Sequence, residues 1–213
     1  MAVIVKPTFN ATYELAEAAI CNMALSRIGA TLMKDTTEVS KGADACRENY
    51  AITRDEMLRY IAPRFAQATA LIPEITDPDY PLNGYEYAYD LSDLSILRLV
   101  MVGAKEDAVY ELVNDSDGHT VLLTSEPQEE DGYVQIKYIK AVKNPAEFDV
   151  MFKEALVVNL AHNISYGLVQ SSLILGKLEE EAARKAYQAK VASLSEAQYD
   201  PNDTLWTDRG TDV

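Results

Sequence analysis

The chain has 213 residues and a formal net charge of −15, and 48% of its residues are hydrophobic, which is enough for one buried core. Charged and polar residues interrupt every apolar run before the roughly 18 residues that a membrane-spanning helix needs, and residues 2–5 are too short for a signal-peptide core. The acidic net charge also argues against a nucleic-acid-binding protein, because contacts to phosphate need clustered lysine and arginine.

Two amphipathic helices are predicted in residues 12–62. The first is expected to be capped by Thr12 and to end at Gly29, and the second to begin after Ser40 and to end at Pro63. We expect them to form a hairpin that buries both cysteines as free thiols. Residues spaced three and four apart predict the buried faces: Leu15, Ala18, Cys21, Leu25 and Ile28 in the first helix, and Ala43, Cys46, Tyr50, Thr53, Met57 and Tyr60 in the second.

A β region is predicted between the helices, at residues 63–144. Short β-branched and aromatic runs alternate there with turn residues such as Asp117-Gly118 and Asp131-Gly132. We expect these strands to be joined mainly as antiparallel hairpins. The predicted strands are residues 66–72, 85–89, 96–102, 108–113, 120–124 and 133–139.

Tyr85, Tyr87 and Tyr89 alternate along the second predicted strand, so all three are expected to point to one face. Two interpretations remain open. The row either packs the sheet against a helix, or it also contacts the tail or a neighbouring subunit, because tyrosine is enriched at interfaces.

The β region also carries an acidic run with Lys105 as its one nearby base. Such a run is typical of solvated loops, but a wall that repels DNA is a second interpretation. The acidic residues are Glu106, Asp107, Glu111, Asp115, Asp117, Glu126, Glu129, Glu130 and Asp131.

Two further helices are predicted after the β region. The first begins at Pro145, continues to about Val169 and buries Phe148, Phe152, Ala155, Leu156, Leu160, Asn163 and Ile164. The second follows Ser171-Ser172 and is expected to turn Ala183, Tyr187, Val191 and Leu194 inward. On its solvent-exposed face, we expect ion pairs between Glu180 and Arg184 and between Glu181 and Lys185.

The predicted fold class is therefore α+β. Residues 12–62 and 145–198 form an antiparallel bundle of four main helices, residues 63–144 a mainly antiparallel β insertion, and residues 199–213 an extended tail. The tail has no periodicity but contains Trp206, the only tryptophan. We expect Trp206 either to dock on a partner or to fold back onto the bundle.

No enzyme is predicted, and no catalytic, cofactor-binding or metal-binding residue is assigned. The phosphate-binding, zinc-hydrolase and nucleophile-elbow motifs are missing from the sequence. His119 is expected in a turn and His162 on a helix. Glu147, Asp149 and Glu154 are expected to favour a helix start through its dipole rather than to act as catalytic acids.

Several ordered patterns carry a resemblance to a known family. A strand over residues 134–139 leads through Asn144-Pro145 into a helix that opens with Phe148-Asp149. With residues 22–29, residues 85–91 and the closing Tyr187 and Tyr199-Asp200-Pro201, this order resembles the head-to-tail adaptor family, or tail tubular protein A, of short-tailed bacteriophages. The likeness covers about residues 12 to 200. It departs from the family at Phe65 and Tyr85, where tryptophan is common, and at Leu91-Ser92, where a Leu-Pro pair is common.

The resemblance implies a dodecameric ring in the neck of the virion, made in the host bacterial cytoplasm. The ring would dock beneath the portal protein, extend the channel through which double-stranded DNA passes without specific binding, and carry tail nozzle or fibre proteins. Portal docking is assigned to the tail, at Tyr199, Leu205, Trp206, Asp208 and Arg209. Two alternatives stay open: a peptidoglycan-degrading tail enzyme, an activity assigned to some family members, and a host α+β binding protein.

Overall fold

The computed structural model describes residues 12–35, 37–76, 78, 82–103, 105, 107–126, 132–169 and 172–196. Its α-helices are α1 (Glu14–Arg27), α2 (Lys41–Ile61), α3 (Val150–Leu168) and α4 (Ser172–Ser195). Its strands are β1 (Gln67–Pro73), β2 (Tyr87–Asp90), β3 (Ile96–Val102), β4 (Tyr110–Asn114), β5 (Thr120–Thr124) and β6 (Tyr133–Lys140). All six strands lie between α2 and α3, and the predicted α+β class is confirmed.

The strands form two small antiparallel sheets, with the orders β1-β6-β3 and β2-β5-β4. The expectation of mainly hairpin connections was wrong, since β4 and β5 are the one consecutive pair of described strands that are neighbours. The links from β1 to β2, β3 to β4 and β5 to β6 are longer than the roughly two to five residues of common hairpin loops. As a result β6, the last strand, becomes the central strand of its sheet.

The two sheets pack face to face. Tyr89 and Leu122 of one sheet share a buried cluster with Leu99, Val134 and Ile136 of the other. The insertion therefore has a core of its own. It is joined to the helices where Ile139 and Val142 enter the helical core and where Arg59 Nη1 donates a hydrogen bond to the carbonyl oxygen of Leu97 at 2.7 Å.

Helix α3 is the centre of the helical part, because α1, α2 and α4 all pack against it. The face predicted for it is confirmed: Phe148, Phe152, Ala155, Leu156, Leu160 and Ile164 are buried. Asn163 is half-buried and donates from Nδ2 to Thr53 Oγ1 of α2 at 3.0 Å. At one end of α3, the Phe152 ring stands edge-on to Phe65 and Phe148, with centroids 5.2 and 4.9 Å away.

Local chemistry explains both ends of α2 but not the start of α1. The Oγ of Ser40 accepts from the amide of Ala43 and caps α2, as predicted. At its other end, Ala62 takes a left-handed conformation with φ 54° directly before Pro63. Thr12 is not the cap of α1, because the helix begins later and Tyr13 takes that position without a side-chain hydrogen bond.

In α1 and α2, two residues predicted to be buried are exposed. Leu15 lies on the open side of the first turn of α1, whose core face is formed by Ala18, Cys21 and Leu25. Tyr60 is exposed because the core face of α2 ends with Met57, Leu58 and Ile61. The Tyr60 ring instead lies under the Lys190 ammonium group, whose nitrogen is 4.7 Å from the ring centroid.

Candidate interaction surface

A concave surface lies between α1 and the first two turns of α3, and we call it the α1–α3 groove. It is an open cavity of about 690 Å³. Apolar side chains line it although they face solvent: Met23 and Leu32 are 44% and 47% exposed, and Val150 is 82% exposed. Ala19, Asn22, Ser26, Arg27, Lys153, Glu154 and Val157 complete the lining. Clustered exposed apolar groups in a concavity are typical of a binding surface.

A network of ion pairs borders the groove and ties three helices together. Arg27 of α1 pairs with Glu154 of α3 at 2.7 Å and with Glu181 of α4 at 2.8 Å, and Lys185 of α4 pairs with Glu154 at 3.3 Å. Burial alone would raise the pKa of the Glu154 carboxyl, but the hydrogen bond from Lys185 and the charge of Arg27 outweigh it and hold that pKa below its ordinary value. Glu154 therefore stays ionised as part of this network.

The predicted pair of Glu181 with Lys185 does not form, and only one of the three acids predicted at the helix start caps α3. Glu181 and Lys185 do not pair with each other; each reaches across to a different helix. Of the three acids assigned to the helix start, Asp149 has that role, since its Oδ1 accepts from the amide of Phe152 at 2.7 Å. Glu147 lies in the preceding 3₁₀ turn, Pro145–Glu147, and is exposed.

The outer face of α4 is a second apolar surface. Ala183, Tyr187, Val191 and Leu194 were predicted to point inward, but all four are exposed, Tyr187 by 62%. The inward face is instead formed by Leu178, Ala182, Ala186 and Ala189. Alanine lets α4 approach α3 closely, so the bulkier side chains remain on the outside.

The tyrosine row does not form as predicted. Tyr89 is fully buried between the two sheets, and Tyr87 packs on the same cluster. Tyr85 precedes β2 in a turn, where its amide donates to the carbonyl oxygen of Leu82, and it packs on the opposite face of that sheet with Ala88 and Leu123. Tyr89 is therefore inaccessible to a partner, whereas Tyr85 and Tyr87 are half-buried.

The acidic run is partly described. Lys105 is paired with Glu126 at 2.9 Å, and Asp115 Oδ1 accepts from the amides of Asp117 and His119, which builds the β4–β5 turn. Asp107, Glu111 and Asp117 are exposed. Glu106, Glu129, Glu130 and Asp131 lie outside the described residues, as do the residues assigned to portal docking: Tyr199, Leu205, Trp206, Asp208 and Arg209.

The histidines and cysteines do not converge on a site. The ring of His162 contacts Tyr166, and His119 lies 3.3 Å from Asp115 at the exposed turn. Among the described residues, no group of three or more histidine, cysteine, aspartate or glutamate side chains is placed to hold a metal ion. The described helices also include none that is long and apolar enough to cross a membrane.

Cys21 and Cys46 are fully buried free thiols that meet between α1 and α2. The hydrogen bond with Cys46 and burial both raise the pKa of the Cys21 thiol far above its ordinary value. Since the thiolate is the reactive form, the pair is a packing element rather than a redox or nucleophilic site.

We expect neither Cys21 nor Cys46 to react with iodoacetamide in the folded protein at mildly alkaline pH, because both are buried and Cys21 holds its proton. Mass spectrometry should find no alkylated chain under native conditions and two modified cysteines after unfolding in urea. Native alkylation at a rate close to that of the unfolded chain would contradict this packing.

No protein-family model matches the sequence, and a search of curated proteins finds no match.

Proposed function

We propose that this chain is a structural protein of the phage neck, a head-to-tail adaptor that forms a ring beneath the portal. In this role it extends the DNA channel, carries the tail nozzle or fibres, and catalyses no reaction. The observation that carries the proposal is the order of three sequence patterns, at residues 22–29, 85–91 and 134–156, which together resemble the adaptor family.

The position of the last pattern, residues 134–156, in the fold supports the proposal. It runs from β6, the central strand of one sheet, into α3, the helix on which all the others pack. Asn144 Oδ1 accepts from the amide of Ala146, Phe148 is buried, and Asp149 caps α3. The residues that carry the resemblance thus form the junction between the β insertion and the helical part of the fold.

Assembly into a closed ring needs two different surfaces on each subunit, because every copy contacts its neighbours through unlike faces. The described residues offer two exposed apolar surfaces, the α1–α3 groove and the outer face of α4. They lie on different helices, and one is a concave groove whereas the other is the exposed side of a single helix that includes Tyr187. This pair supports a heterologous ring.

The electrostatic balance also fits passage of DNA without binding. The chain carries 34 acidic and 19 basic residues, and exposed acids such as Glu111 and Asp117 stand on the β insertion. Like charge repels DNA phosphates over about 10 Å at ordinary ionic strength. A channel lined by part of this excess would let DNA slide rather than adhere.

In the proposed neck, the tail after Tyr199 docks on the portal, with Leu205 and Trp206 as the apolar anchor and Asp208 and Arg209 as flanking charges. The β insertion then faces the tail or neighbouring subunits, and Tyr85 and Tyr87 are its candidate contact residues. An aromatic anchor surrounded by charge is typical of an interface centre.

The direct test is to mix the purified chain with a candidate portal ring and to image the mixture by negative-stain electron microscopy. We expect an added ring of density on one side of the portal. The matched variant is Trp206→Ala, which should leave the isolated chain folded but lower portal occupancy at least tenfold.

Three outcomes would count against the proposal. These are a portal ring without added density, equal binding by wild type and Trp206→Ala, and clearing of peptidoglycan by the purified chain. If clearing occurred, loss of the activity in a Glu147→Gln, Asp149→Asn or Glu154→Gln variant would identify the enzyme alternative.

A further inference from the structure

We propose that the β insertion binds an extended segment of a partner protein as an added strand on β4, with Arg59 and Arg98 holding one acidic side chain of that segment. On the face that meets the insertion, the segment carries a carboxylate between apolar side chains. Three features of the insertion support this binding mode: an open side of the two-sheet sandwich, an unprotected strand edge, and a cavity lined by two arginines without an acidic partner.

The sandwich is closed along one side and open along the other. On the closed side, Glu74 after β1 forms a bridge with Tyr89 of β2, and the amide of Ile75 donates to a carbonyl oxygen of β2 at 2.8 Å. On the other side, β3 and β4 are both edge strands, and they do not pair with each other. A cavity of about 290 Å³ lies there, between β3, β4 and the last turn of α2. The open side therefore has room for a further chain segment.

The outer edge of β4 presents backbone groups that point away from the sheet. The amide of Asp115 donates to the carbonyl oxygen of His119 at 3.0 Å, which fixes which residues of β4 bond to β5. Because bonded and non-bonded pairs alternate in an antiparallel ladder, the amides and carbonyls of Tyr110 and Leu112 point outward. An added strand would pair with these groups.

This edge also has little protection against pairing. Natural sheets protect their edges with bulges, prolines and lysines, and β4 has none of these. By contrast, the register of β3 shifts at two places. The side chains of Tyr110 and Leu112 line the cavity and are 39% and 48% exposed, so an added strand would also cover apolar surface.

Two arginines line the cavity, and neither forms an ion pair with a described residue. Arg59 Nη1 donates to the carbonyl oxygen of Leu97 at 2.7 Å, which ties this guanidinium group to β3 and leaves its other N–H donors for a ligand. Arg98 is half-buried and follows the first register shift of β3, a feature that redirects side chains. No acidic residue is among those that line the cavity. Positive charge is therefore concentrated here in a chain whose net charge is −15.

The cavity matches a single carboxylate on an apolar segment. Guanidinium groups bind carboxylates through paired N–H···O bonds, and aliphatic side chains such as Leu91, Leu94 and Leu112 lie around them. Nucleic acid fits poorly, because exposed acids on the same insertion, Glu111 and Asp117, repel a polyanion. A small free acid would leave the outward backbone groups of β4 without partners, whereas an extended peptide uses them.

A second copy of β4 is a less suitable occupant than a partner protein. Side chains alternate along a strand, so Tyr110 and Leu112 face the cavity while Glu111 lies on the opposite face. A two-fold pair of β4 edges would present the same surface from each copy. It would bring no carboxylate to Arg59 or Arg98.

The test titrates the full chain with the peptide acetyl-Thr-Val-Thr-Glu-Thr-Val-Thr-amide in a calorimeter. As a strand, this peptide places its glutamate and both valines on one face. The matched control peptide has glutamine in place of glutamate. We expect saturable binding of one glutamate peptide per chain and roughly tenfold weaker binding of the glutamine peptide, because only the carboxylate forms charge-assisted hydrogen bonds.

Variants of the chain assign this difference to the two arginines. Arg98→Gln should remove most of the difference between the peptides, and the double variant Arg59→Gln, Arg98→Gln should remove all of it. The control is Arg184→Gln, which changes an exposed arginine of α4 outside the cavity and should bind both peptides as the wild type does.

Hydrogen exchange followed by nuclear magnetic resonance tests strand addition separately from charge. When the glutamate peptide binds, exchange should slow several-fold at the amides of Tyr110 and Leu112, which gain partners. Exchange at Glu111 and Val113 should change little, since these amides already face β5.

Four results would overturn strand addition at β4: no saturable binding of the glutamate peptide, equal affinity of the two peptides for the wild type, unchanged affinities in Arg98→Gln, and binding without slower exchange at Tyr110 and Leu112. Slow exchange there that depends on protein concentration without peptide would assign the edge to a second copy. Peptide binding needs neither a ring nor a portal, so its failure would leave the adaptor proposal to its own test.

Discussion

Replacing Phe152 by alanine should lower the free energy of unfolding by about 3–5 kcal/mol, the range for deletion of a fully buried aromatic side chain. Phe152 has no exposed surface, and its ring is packed edge-on against Phe65 and Phe148. Removing it leaves a cavity where the 3₁₀ turn after α2, the Asn144-Pro145 turn and α3 meet.

Urea unfolding followed by circular dichroism measures this loss. Val150→Ala is the matched control, because it lies half a turn away on α3 at a highly exposed position and should change the stability by no more than about 0.5 kcal/mol. A loss below about 1 kcal/mol for Phe152→Ala would show that the aromatic trio is loosely packed. In the proposed adaptor, the Phe152→Ala variant should also fail to add a stable ring to the portal.

Strand positions were predictable from the sequence because turn residues and β-branched runs are local signals. Residues 96–102 and 120–124 were predicted as strands and are β3 and β5. The pairing of the strands was not predictable. Whether β6 lies beside β5 or between β1 and β3 depends on how the two sheets bury Tyr89 and Leu122, which is a property of the assembled core.

The face of α4 shows why helix existence is easier to predict than helix orientation. Tyr187, Val191 and Leu194 are the larger apolar residues and were assigned to the core. The packed face uses Ala182, Ala186 and Ala189, whose small side chains give little hydrophobic signal but permit close helix contact. A run of alanines three and four apart was the signal available in the sequence.

The groove was missed for a related reason. Met23, Leu32 and Val150 are separated by long stretches of sequence, and only the packing of α1 on α3 brings them together. The same holds for the Arg27, Glu154, Glu181 and Lys185 network, whose members span 159 positions. Spacing rules detect neighbours along one helix, and these contacts join different helices.

Replacing Arg54 by methionine should lower the free energy of unfolding by about 3–5 kcal/mol, because it removes the Arg54 cation from beside the buried Glu17 carboxylate. Glu17 of α1 and Arg54 of α2 are both buried, with Oε1 and Nη1 3.8 Å apart. Arg54 also lies 5.9 Å from the Tyr50 ring centroid and pairs with Asp55 at 2.8 Å. Chemical denaturation measures the loss.

Asp55→Asn is the control, since it removes the more exposed partner of Arg54 and should cost less than about 1 kcal/mol. The double variant Glu17→Met, Arg54→Met removes both charges of the buried pair. At 3.8 Å the pair is too long for a direct hydrogen bond, so its attraction compensates the cost of burying two charges without exceeding it. We therefore expect the double variant to recover most of the stability lost in Arg54→Met. If the double variant were as unstable as the single one, the buried pair would itself be a net source of stability between α1 and α2.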